Sequence, residues 1–517
     1  MIKQELQGGV EGGAVDGRDD VLPRTMGVVA ATALVIGHVI GSGIFSTPAI
    51  VWSLVGSPGM SLSMWLIGGV ITICGAVCFV ELGTLLPNSG GEQAYLAYIY
   101  RRPYVLASYL FFWSLIIFMR PASAAANAVV AGKHLLYALF GPPSQPRDGA
   151  EWTQHEWLQR AIGLICIACI SFMTAVSTRW TLGIQTVFTI AKMLVLLLIA
   201  TAGVLVMAGG IRLEHPPDNW REPFAGTSAE VSDYASAMFK ISWAYSGWNN
   251  IHYALGELKH PQRNLPLAAF GGMAIVIGLY LLANFAYMAV VPASLAFHSG
   301  EVLAASFCSI LFGEHVGQRM IAPIIGLSAL GSTIASVFAA SRVLRVAAQD
   351  GYLPGSSVLA RLHPGLGTPV PAVVFNMCLA FVMLLAPPPG KAFSFLVDFI
   401  GYPSGFFLAL TVAGMLRLRH TEPGTSRPFR AWTPVAYFYI TIAVFVCVFP
   451  WVPPKTPPAP GTIPHYLAPL LGVASVLTGL PMWYVMLVHR GSARLAWHHL
   501  KARLLRTPQV VARVPAA

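Results

Sequence analysis

The chain has 517 residues, of which 56% are hydrophobic and only 10% are charged. Apolar runs close to the roughly 20 residues that cross a bilayer as a helix recur along its length, which excludes a soluble globular protein. The net charge of +11 fits cytoplasmic loops rich in Lys and Arg rather than a nucleic-acid partner. The composition therefore predicts an all-α polytopic protein of the lipid bilayer.

About twelve apolar segments are long enough to cross a membrane. An even number of crossings puts both termini on one side, and the Lys- and Arg-rich loops mark that side as cytoplasmic. Residues 1–24 are expected to form a disordered tail, and the basic residues 489–517 either a charged tail or an amphipathic surface helix. In chain order, segments one to twelve are Thr25–Ser53, Met60–Leu85, Tyr104–Phe140, Ala161–Val176, Leu182–Ala208, Ala235–Leu255, Pro266–Val291, Met320–Val346, Pro371–Leu385, Ala392–Leu416, Pro434–Val452 and Tyr466–Val488.

Two glycines flank a serine in the middle of segment one, at Gly41-Ser42-Gly43. Glycine in a helix interior costs up to about 1 kcal/mol relative to alanine. Unwound backbone at membrane depth is tolerated only where it is buried in protein or lines a cavity. The triplet therefore predicts either a broken helix whose free backbone groups face a polar ligand or a close contact between two helices.

Segment six contains a second interruption, formed by Ser246, Gly247, Asn249 and Asn250. By the predicted topology, segment one runs outward and segment six runs inward. Interrupted helices in corresponding positions of two halves are typical of a transporter whose binding site lies between inverted repeats. The sequence therefore predicts a 5+5 inverted repeat with broken helices one and six.

The backbone groups freed at the two breaks indicate a ligand. N–H groups near Ser42, Gly43 and Ile44, at the start of a half-helix, suit a carboxylate. Carbonyl groups near Val39 and Trp243 suit an ammonium group. A carboxylate and an amine on one carbon satisfy both breaks, so the predicted cargo is an α-amino acid.

Several further motifs accompany the two breaks between residues 25 and 430. Together these motifs resemble the amino acid–polyamine–organocation transporters, specifically the L-type amino acid transporter branch and its fungal methionine-permease relatives. The motifs are Ile40-Gly-Ser-Gly-Ile-Phe-Ser-Thr-Pro48, Glu81-Leu-Gly-Thr-Leu-Leu-Pro-Asn-Ser-Gly-Gly-Glu-Gln-Ala-Tyr-Leu96, Arg120-Pro-Ala-Ser, Ser246-Gly-Trp-Asn249, Glu257-Leu-Lys-His-Pro-Gln-Arg-Asn-Leu-Pro-Leu-Ala268, Ser341-Arg with Asp350-Gly-Tyr-Leu-Pro354, and Arg427-Pro-Phe-Arg430.

The resemblance implies a transporter domain over residues 25–488, with residues 25–208 and 235–416 as the two halves and residues 434–488 at the periphery. It implies a substrate site between segments one, three, six, eight and ten, with no metal and no cofactor. Relatives carry a bulky apolar gate where this chain has Trp243, so the range of side chains accepted is expected to differ. The residues that the resemblance assigns to the substrate backbone are Val39, Ser42, Gly43 and Ile44, and those assigned to the amine and side-chain pocket are Trp243, Ser246, Trp248, Asn249 and, as a weaker candidate, Ser404.

The loop Gly141–Trp157 contains no cysteine. Mammalian members of the family use a cysteine there to bind a heavy chain, so no disulfide-linked heavy chain is expected. The resemblance, and no targeting motif, favours the plasma membrane over the vacuole.

Three of the basic residues within the apolar segments are candidates for a role at the site. A lysine at the middle of a membrane helix costs about 2.5–3.5 kcal/mol, so Lys192 either faces the interior or extends to the cytoplasmic surface. The resemblance implies that Lys192 takes the place of a sodium ion and supports the break in segment one. Arg120 has Glu81, Glu257 or unwound carbonyls as candidate partners. His38 either carries a proton or is a hydrogen-bonded core residue.

The sequence as a whole predicts a sodium-independent secondary transporter of neutral L-amino acids, large or sulfur-containing, that works by alternating access. It is not expected to be an enzyme, because the spans show no paired carboxylates, metal cluster or activated nucleophile. A proton-coupled polyamine or choline carrier of the same fold is one alternative, although no acidic residue stands beside either break in the sequence. An amino-acid-sensing receptor without net transport is the other.

Overall fold

A computed structural model describes residues 24–141, 149–388, 391–453 and 464–489. The regular secondary structure of these residues is helical, without a β-strand. Eleven of their helices are long and apolar enough to cross a membrane, which confirms the predicted all-α polytopic class. Almost all of the predicted tails, residues 1–23 and 490–517, lie outside the described ranges.

The helices are numbered here in chain order. A π-helix, Ser114–Met119, joins α6 to α7, and a 3₁₀-helix, Trp248–Tyr253, follows α10. The helices are α1 (Val28–Val39), α2 (Gly43–Ser46), α3 (Pro48–Val55), α4 (Pro58–Leu85), α5 (Gly91–Ile99), α6 (Leu106–Trp113), α7 (Arg120–Phe140), α8 (Gly149–Val176), α9 (Thr178–Met207), α10 (Val231–Ala244), α11 (Pro261–Val290), α12 (Ala293–Ser299), α13 (Leu303–Phe312), α14 (Glu314–Val316), α15 (Ala322–Gln349), α16 (Ser356–Leu359), α17 (Val370–Leu385), α18 (Ala392–Thr421), α19 (Thr433–Val448), α20 (Leu467–Leu477) and α21 (Gly479–Trp483).

All but one of the eleven candidate spans coincide with predicted segments. Segment six is absent from the eleven because it is divided between α10 and the following 3₁₀-helix, as its glycine and asparagines predicted. Segment nine corresponds to α17, which has only 16 residues. The predicted boundaries therefore hold to within a few residues for most segments, and the breaks explain the main exception.

The span that the sequence analysis did not predict is Ala293–Phe312. It consists of α12 and α13, which have 7 and 10 residues and are separated at Gly300, whose φ is +53°. A helix rises about 1.5 Å per residue, so neither helix alone crosses a hydrocarbon core of about 30 Å. Because α12 packs against α3, we infer that this pair covers the end of segment one instead of adding a crossing.

Segments three and eight, α7 and α15, pack against each other along their length. The face of α7 is rich in small residues, and such residues let membrane helices approach closely. Gly326 of α15 lies close to the Ala131 carbonyl of α7. This pair of helices runs beside the first break, where Asn127 of α7 contacts Ser42. The fully buried alanines of α7 are Ala122, Ala124, Ala125, Ala126, Ala128 and Ala131.

Glu81, near the end of α4, forms a buried ion cluster with the last turn of α18 and the chain that follows it. Its carboxylate accepts hydrogen bonds from Arg419 at 2.5 and 3.0 Å and from the Ala431 N–H at 2.7 Å. Arg427 lies 3.5 Å from the same carboxylate. The sequence analysis named Glu81 as a candidate partner of Arg120. In the structure Glu81 pairs with Arg419 and Arg427 instead.

Replacing Glu81 with Gln should lower the free energy of unfolding by about 3–5 kcal/mol, because breaking a buried ion pair leaves an uncompensated charge. Glu422 is the matched control, since its pair with Arg101 is long, at 3.6 Å, and partly exposed. Glu422→Gln should cost less than about 1 kcal/mol. Thermal unfolding of both variants in detergent measures the difference, and equal losses would contradict the prediction.

Candidate functional site

Segment one breaks at Ile40–Ser42, between α1 and α2. The N–H groups of Phe45 and Ser46 bond to the Ser42 carbonyl. Within the described ranges, no backbone acceptor meets the N–H groups of Ser42, Gly43 or Ile44. The break thus leaves three donors free at the start of a half-helix, where an anion is favoured.

Segment six breaks just after Ala244. Tyr245, Ser246 and Gly247 form a turn, and Gly247 adopts φ +101°, which a residue with a side chain rarely adopts. Ser246 is exposed, and its hydroxyl donates to the Trp243 carbonyl at 2.8 Å. The Trp243 carbonyl, which the sequence analysis predicted as an acceptor for the substrate amine, therefore already has a partner within its own turn.

The two breaks pack directly against each other through their glycines. A Cβ atom on Gly43 would lie 2.5 Å from the Cα atom of Ala244, and one on Gly247 would lie 2.7 Å from the His38 carbonyl oxygen. Neither distance is compatible with a side chain. The sequence offered helix contact and ligand binding as alternatives for Gly43, but the geometry combines a close contact with free N–H groups.

Tyr280 in the middle of α11 lies against both breaks. Its hydroxyl oxygen is 2.9 Å from the Val39 carbonyl oxygen and 3.0 Å from that of Ala244. Its ring is fully buried beside the rings of Trp65 and Tyr245. Tyr280 therefore reaches the C-terminal ends of α1 and α10 together, and the sequence analysis did not identify it.

Ser42 connects the first break to segment three. Its hydroxyl donates to Asn127 Oδ1 at 2.5 Å, and the Asn127 amide donates to the Ser123 carbonyl at 2.8 Å. The Ser42 side chain is thus used by the protein, which leaves its N–H as the group free for a ligand. Asn127 is a second residue that the sequence analysis missed.

Lys192 and His38 both lie close to the first break. Lys192 reaches Gly37 from segment five, and His38 follows Gly37 in the chain. The Lys192 ammonium is buried and donates to the Gly37 carbonyl at 3.3 Å. This geometry agrees with the interior alternative and not with a side chain extended to the surface. His38 is exposed, and its Nδ1 lies 2.8 Å from the Leu34 carbonyl. That local bond leaves the other ring nitrogen free.

Arg120 begins α7 and is only partly buried. Its Nε atom is buried without a hydrogen-bond partner among the described residues, and no carboxylate there lies within 4.0 Å of it. Its charge acts on His38 and on Glu92 at longer range. Of the candidate partners named from the sequence, Glu81 is excluded because other arginines occupy it.

Trp243 and Ser404 are the side-chain candidates on segments six and ten. Trp243 is half-buried and meets the Phe393 ring edge-on, with centroids 6.4 Å apart. Ser404 is half-buried in α18. Trp243 lies in the last turn of α10, directly before the break, whereas no contact found in the described ranges joins Ser404 to either break.

Trp248 and Asn249 lie beyond the second break and contact segment two and α5. The Trp248 ring meets Phe79 edge-on at 4.9 Å. The Asn249 amide donates to Glu92 of α5. The sequence showed no acidic residue beside either break, but folding brings Glu92 there from 157 residues away. Direct contact of these two side chains with the substrate remains a prediction.

Two broken helices set against each other in a membrane-helix bundle are typical of a secondary transporter. The chain belongs to the amino acid permease family, whose model matches residues 26–475. At the level of this family its function is amino acid transport, as the sequence predicted. The match also indicates a permease rather than an enzyme.

Known relatives cover most of the chain. The large neutral amino acids transporter small subunit 2 of Rattus norvegicus is 32% identical over 468 residues, which are 90% of this chain and 81% of that protein. The Asc-type amino acid transporter 1 of Mus musculus is 30% identical over 90% of this chain and 81% of its own length. The high-affinity methionine permease of Saccharomyces cerevisiae is 29% identical, over 84% and 73%. These matches agree with the predicted resemblance.

Substituting the two glycines of the first break should separate their roles. Gly43→Ala, and more strongly Gly43→Val, should abolish uptake with expression retained, because the added Cβ atom meets the backbone of Ala244. Gly41→Ala is the control, since its Cβ atom would meet nothing closer than 3.8 Å. It should retain most of the uptake. Radiolabelled uptake scaled to surface expression measures both, and full transport by Gly43→Val would overturn the assignment.

Proposed function

We propose that the chain carries neutral L-amino acids, large or sulfur-containing, across the membrane by alternating access and without sodium. The observation that carries this proposal is the set of free N–H groups at Ser42, Gly43 and Ile44, directly beside the end of α10. Two relatives are named for large neutral amino acids and for methionine, which supports the same cargo.

The substrate backbone lies across the two breaks in this proposal. Its carboxylate receives the free N–H groups of the first break, where the positive end of the α2 dipole adds attraction. Its ammonium group faces the carbonyl ends of α1 and α10, at Val39 and Ala244, which share the Tyr280 hydroxyl. The Trp243 carbonyl is the weaker of the predicted acceptors, because it already accepts from the Ser246 hydroxyl. The substrate side chain lies against the Trp243 ring, which favours apolar groups.

A polyamine or choline carrier needs open carboxylates at this site. Two carboxylates approach segment six, and each already has a partner on that segment. Asp398 is 2.5 Å from the Lys240 ammonium, and Glu92 is almost fully buried against Asn249. Neither is open to an incoming cation, so we favour a zwitterionic substrate.

Sodium independence rests on Lys192. Its buried ammonium bonds to the Gly37 carbonyl, two residues before α1 ends. A fixed positive charge there supports the broken helix without a bound cation and repels sodium. We therefore propose that Lys192 stands in for sodium.

The chain is proposed to work without a disulfide-linked heavy chain, in the plasma membrane, with both termini cytoplasmic. The support for this proposal is that the sequence has no cysteine between residues 141 and 157. The name of one relative describes a small subunit, which is a property of that protein. Antibody labelling of terminal tags in intact and permeabilised cells tests the location and the topology.

Reconstituting the purified chain alone in vesicles tests the proposed cargo. Labelled leucine or methionine should accumulate, neutral amino acids should compete, and polyamines and choline should not. Replacing sodium with potassium should leave the rate unchanged, because Lys192 occupies the position. Binding without accumulation would indicate a sensor, and dependence on sodium or on a second chain would contradict those parts of the proposal.

Alternating access requires one side of the site to close, and two ion pairs are proposed to close the outer side. Lys240 of α10, which is 2% exposed, lies 2.5 Å from Asp398 of α18 and donates to the Ser394 carbonyl at 2.8 Å. Lys133 of α7 lies 2.5 Å from Glu301, between α12 and α13. The first pair joins the half of segment six that precedes its break to segment ten, and the second joins segment three to the residues between α12 and α13.

Reversing the Lys240–Asp398 pair tests its part in closure. Lys240→Asp and Asp398→Lys should each reduce uptake strongly, since each leaves two like charges buried together. The double exchange should recover part of the lost uptake by restoring the attraction. Uptake and surface expression of the four proteins form the cycle. No recovery in the double variant, with normal expression, would refute a role for the pair itself.

A further inference from the structure

Glu92 is a buried carboxyl group beside the second break that the proposed transport mechanism does not use. It lies in the first turn of α5, between segments two and three, and is 2% exposed. Its Oε1 accepts from the Asn249 amide, and the Tyr253 hydroxyl interacts with the same carboxyl group. Its Oε2 atom is buried and has no partner among the described residues.

The groups that face Glu92 do not include a paired cation. Arg120 of segment three acts on it only at longer range, and no Lys, Arg or His of the described ranges lies within 4.0 Å. The other titratable neighbours are three hydroxyl groups, those of Tyr95 on α5 itself, Tyr253 in the 3₁₀-helix after the second break and Tyr439 of α19. The imidazole of His252 is one step further away, where it contacts the Tyr95 hydroxyl.

This environment favours the neutral acid over the carboxylate. An ionised carboxylate away from water and without a cation is strongly disfavoured, and such a group takes up a proton instead. Burial raises the pKa of Glu92 above its usual range, against smaller lowering effects from Tyr253, Asn249 and Arg120. Ionisation of Glu92 therefore requires water or a cation to reach it.

Separation of α5 from the chain after the second break would open Glu92 to water, because Asn249 and Tyr253 of that chain contact its carboxyl group. These two elements are joined by several polar contacts besides the Glu92 bond to Asn249. The Tyr95 hydroxyl lies 2.8 Å from His252 Nδ1, and the Gly256 N–H donates to the Ser89 hydroxyl at 3.0 Å. The burial of Glu92 is thus tied to the position of the second half of segment six.

We propose that Glu92 is a proton-binding site, which holds a proton while segment six packs on α5 and releases it when the two separate. On separation the O–H bond of the acid breaks, the proton passes to water, and a hydrated carboxylate remains. On closure the carboxylate takes a proton back from water. Because the packed state binds more protons, low pH favours it and high pH favours separation. This inference rests on the proposed function, since segment six is taken as a moving part.

The test is amino acid exchange by the purified chain in vesicles, with the internal and external pH varied together from about 5 to about 8. The exchange rate of the unsubstituted protein should change several-fold over this range. Glu92→Gln, which mimics the neutral acid, should retain exchange and show a flat profile. Glu257→Gln is the matched control, because Glu257 follows the same stretch and is partly exposed. It should keep the original profile, as should His38→Ala.

Infrared difference spectroscopy supplies a readout that is independent of transport. The unsubstituted protein at neutral pH should show the C=O band of a protonated carboxylic acid, which Glu92→Gln removes. Glu92→Asp serves if the amide variant fails to fold, since it should shift both the band and the pH profile. An unchanged band, or an unchanged profile with exchange intact, overturns the inference about Glu92. Absence of both uptake and exchange in the unsubstituted protein overturns the proposed function itself.

Discussion

The contact between the two breaks is the constraint on which the rest of the structure depends. Gly43 meets the backbone of Ala244, and Gly247 meets the carbonyl of His38, so each break supplies the space that the other needs. A helix interrupted in a membrane exposes polar backbone, which is tolerated only inside protein. By facing each other, the two interruptions keep that backbone away from lipid and leave donors and acceptors side by side.

The half-helices on either side of this contact have different neighbours. Lys192 ties the end of α1 to segment five, while Glu92, Tyr95 and Ser89 tie the chain after the second break to α5 and its approach. On the other side, Lys240 ties α10 to segment ten. If the half-helix on one side of a break moves, the half-helix on the other side stays bonded to its own partner. A hinge at each break requires separate partners of this kind.

The sequence predicted the features that have a local signature. A pair of glycines marked the first break, a glycine followed by two asparagines marked the second, and a lysine in an apolar run made Lys192 a candidate interior residue. Tyr280, Asn127 and Glu92 were missed because their importance arises from contacts with distant parts of the chain. Tyr280 reaches Val39 across 241 positions, and nothing in its own apolar helix distinguishes it from a packing residue. The pair α12 and α13 was missed because Gly300 and Glu301 interrupt the apolar pattern.

Tyr280 has fewer hydrogens to donate than it has carbonyl oxygens within reach. Its hydroxyl carries one hydrogen atom but stands at bonding distance from two carbonyl oxygens, those of Val39 and Ala244. At any instant it satisfies one of them, and the other lacks that donor. Two helix ends that share a single hydrogen therefore keep one carbonyl oxygen unpaired at any instant. The ammonium group of the proposed substrate, which carries three hydrogens, is a donor of the kind that this oxygen lacks.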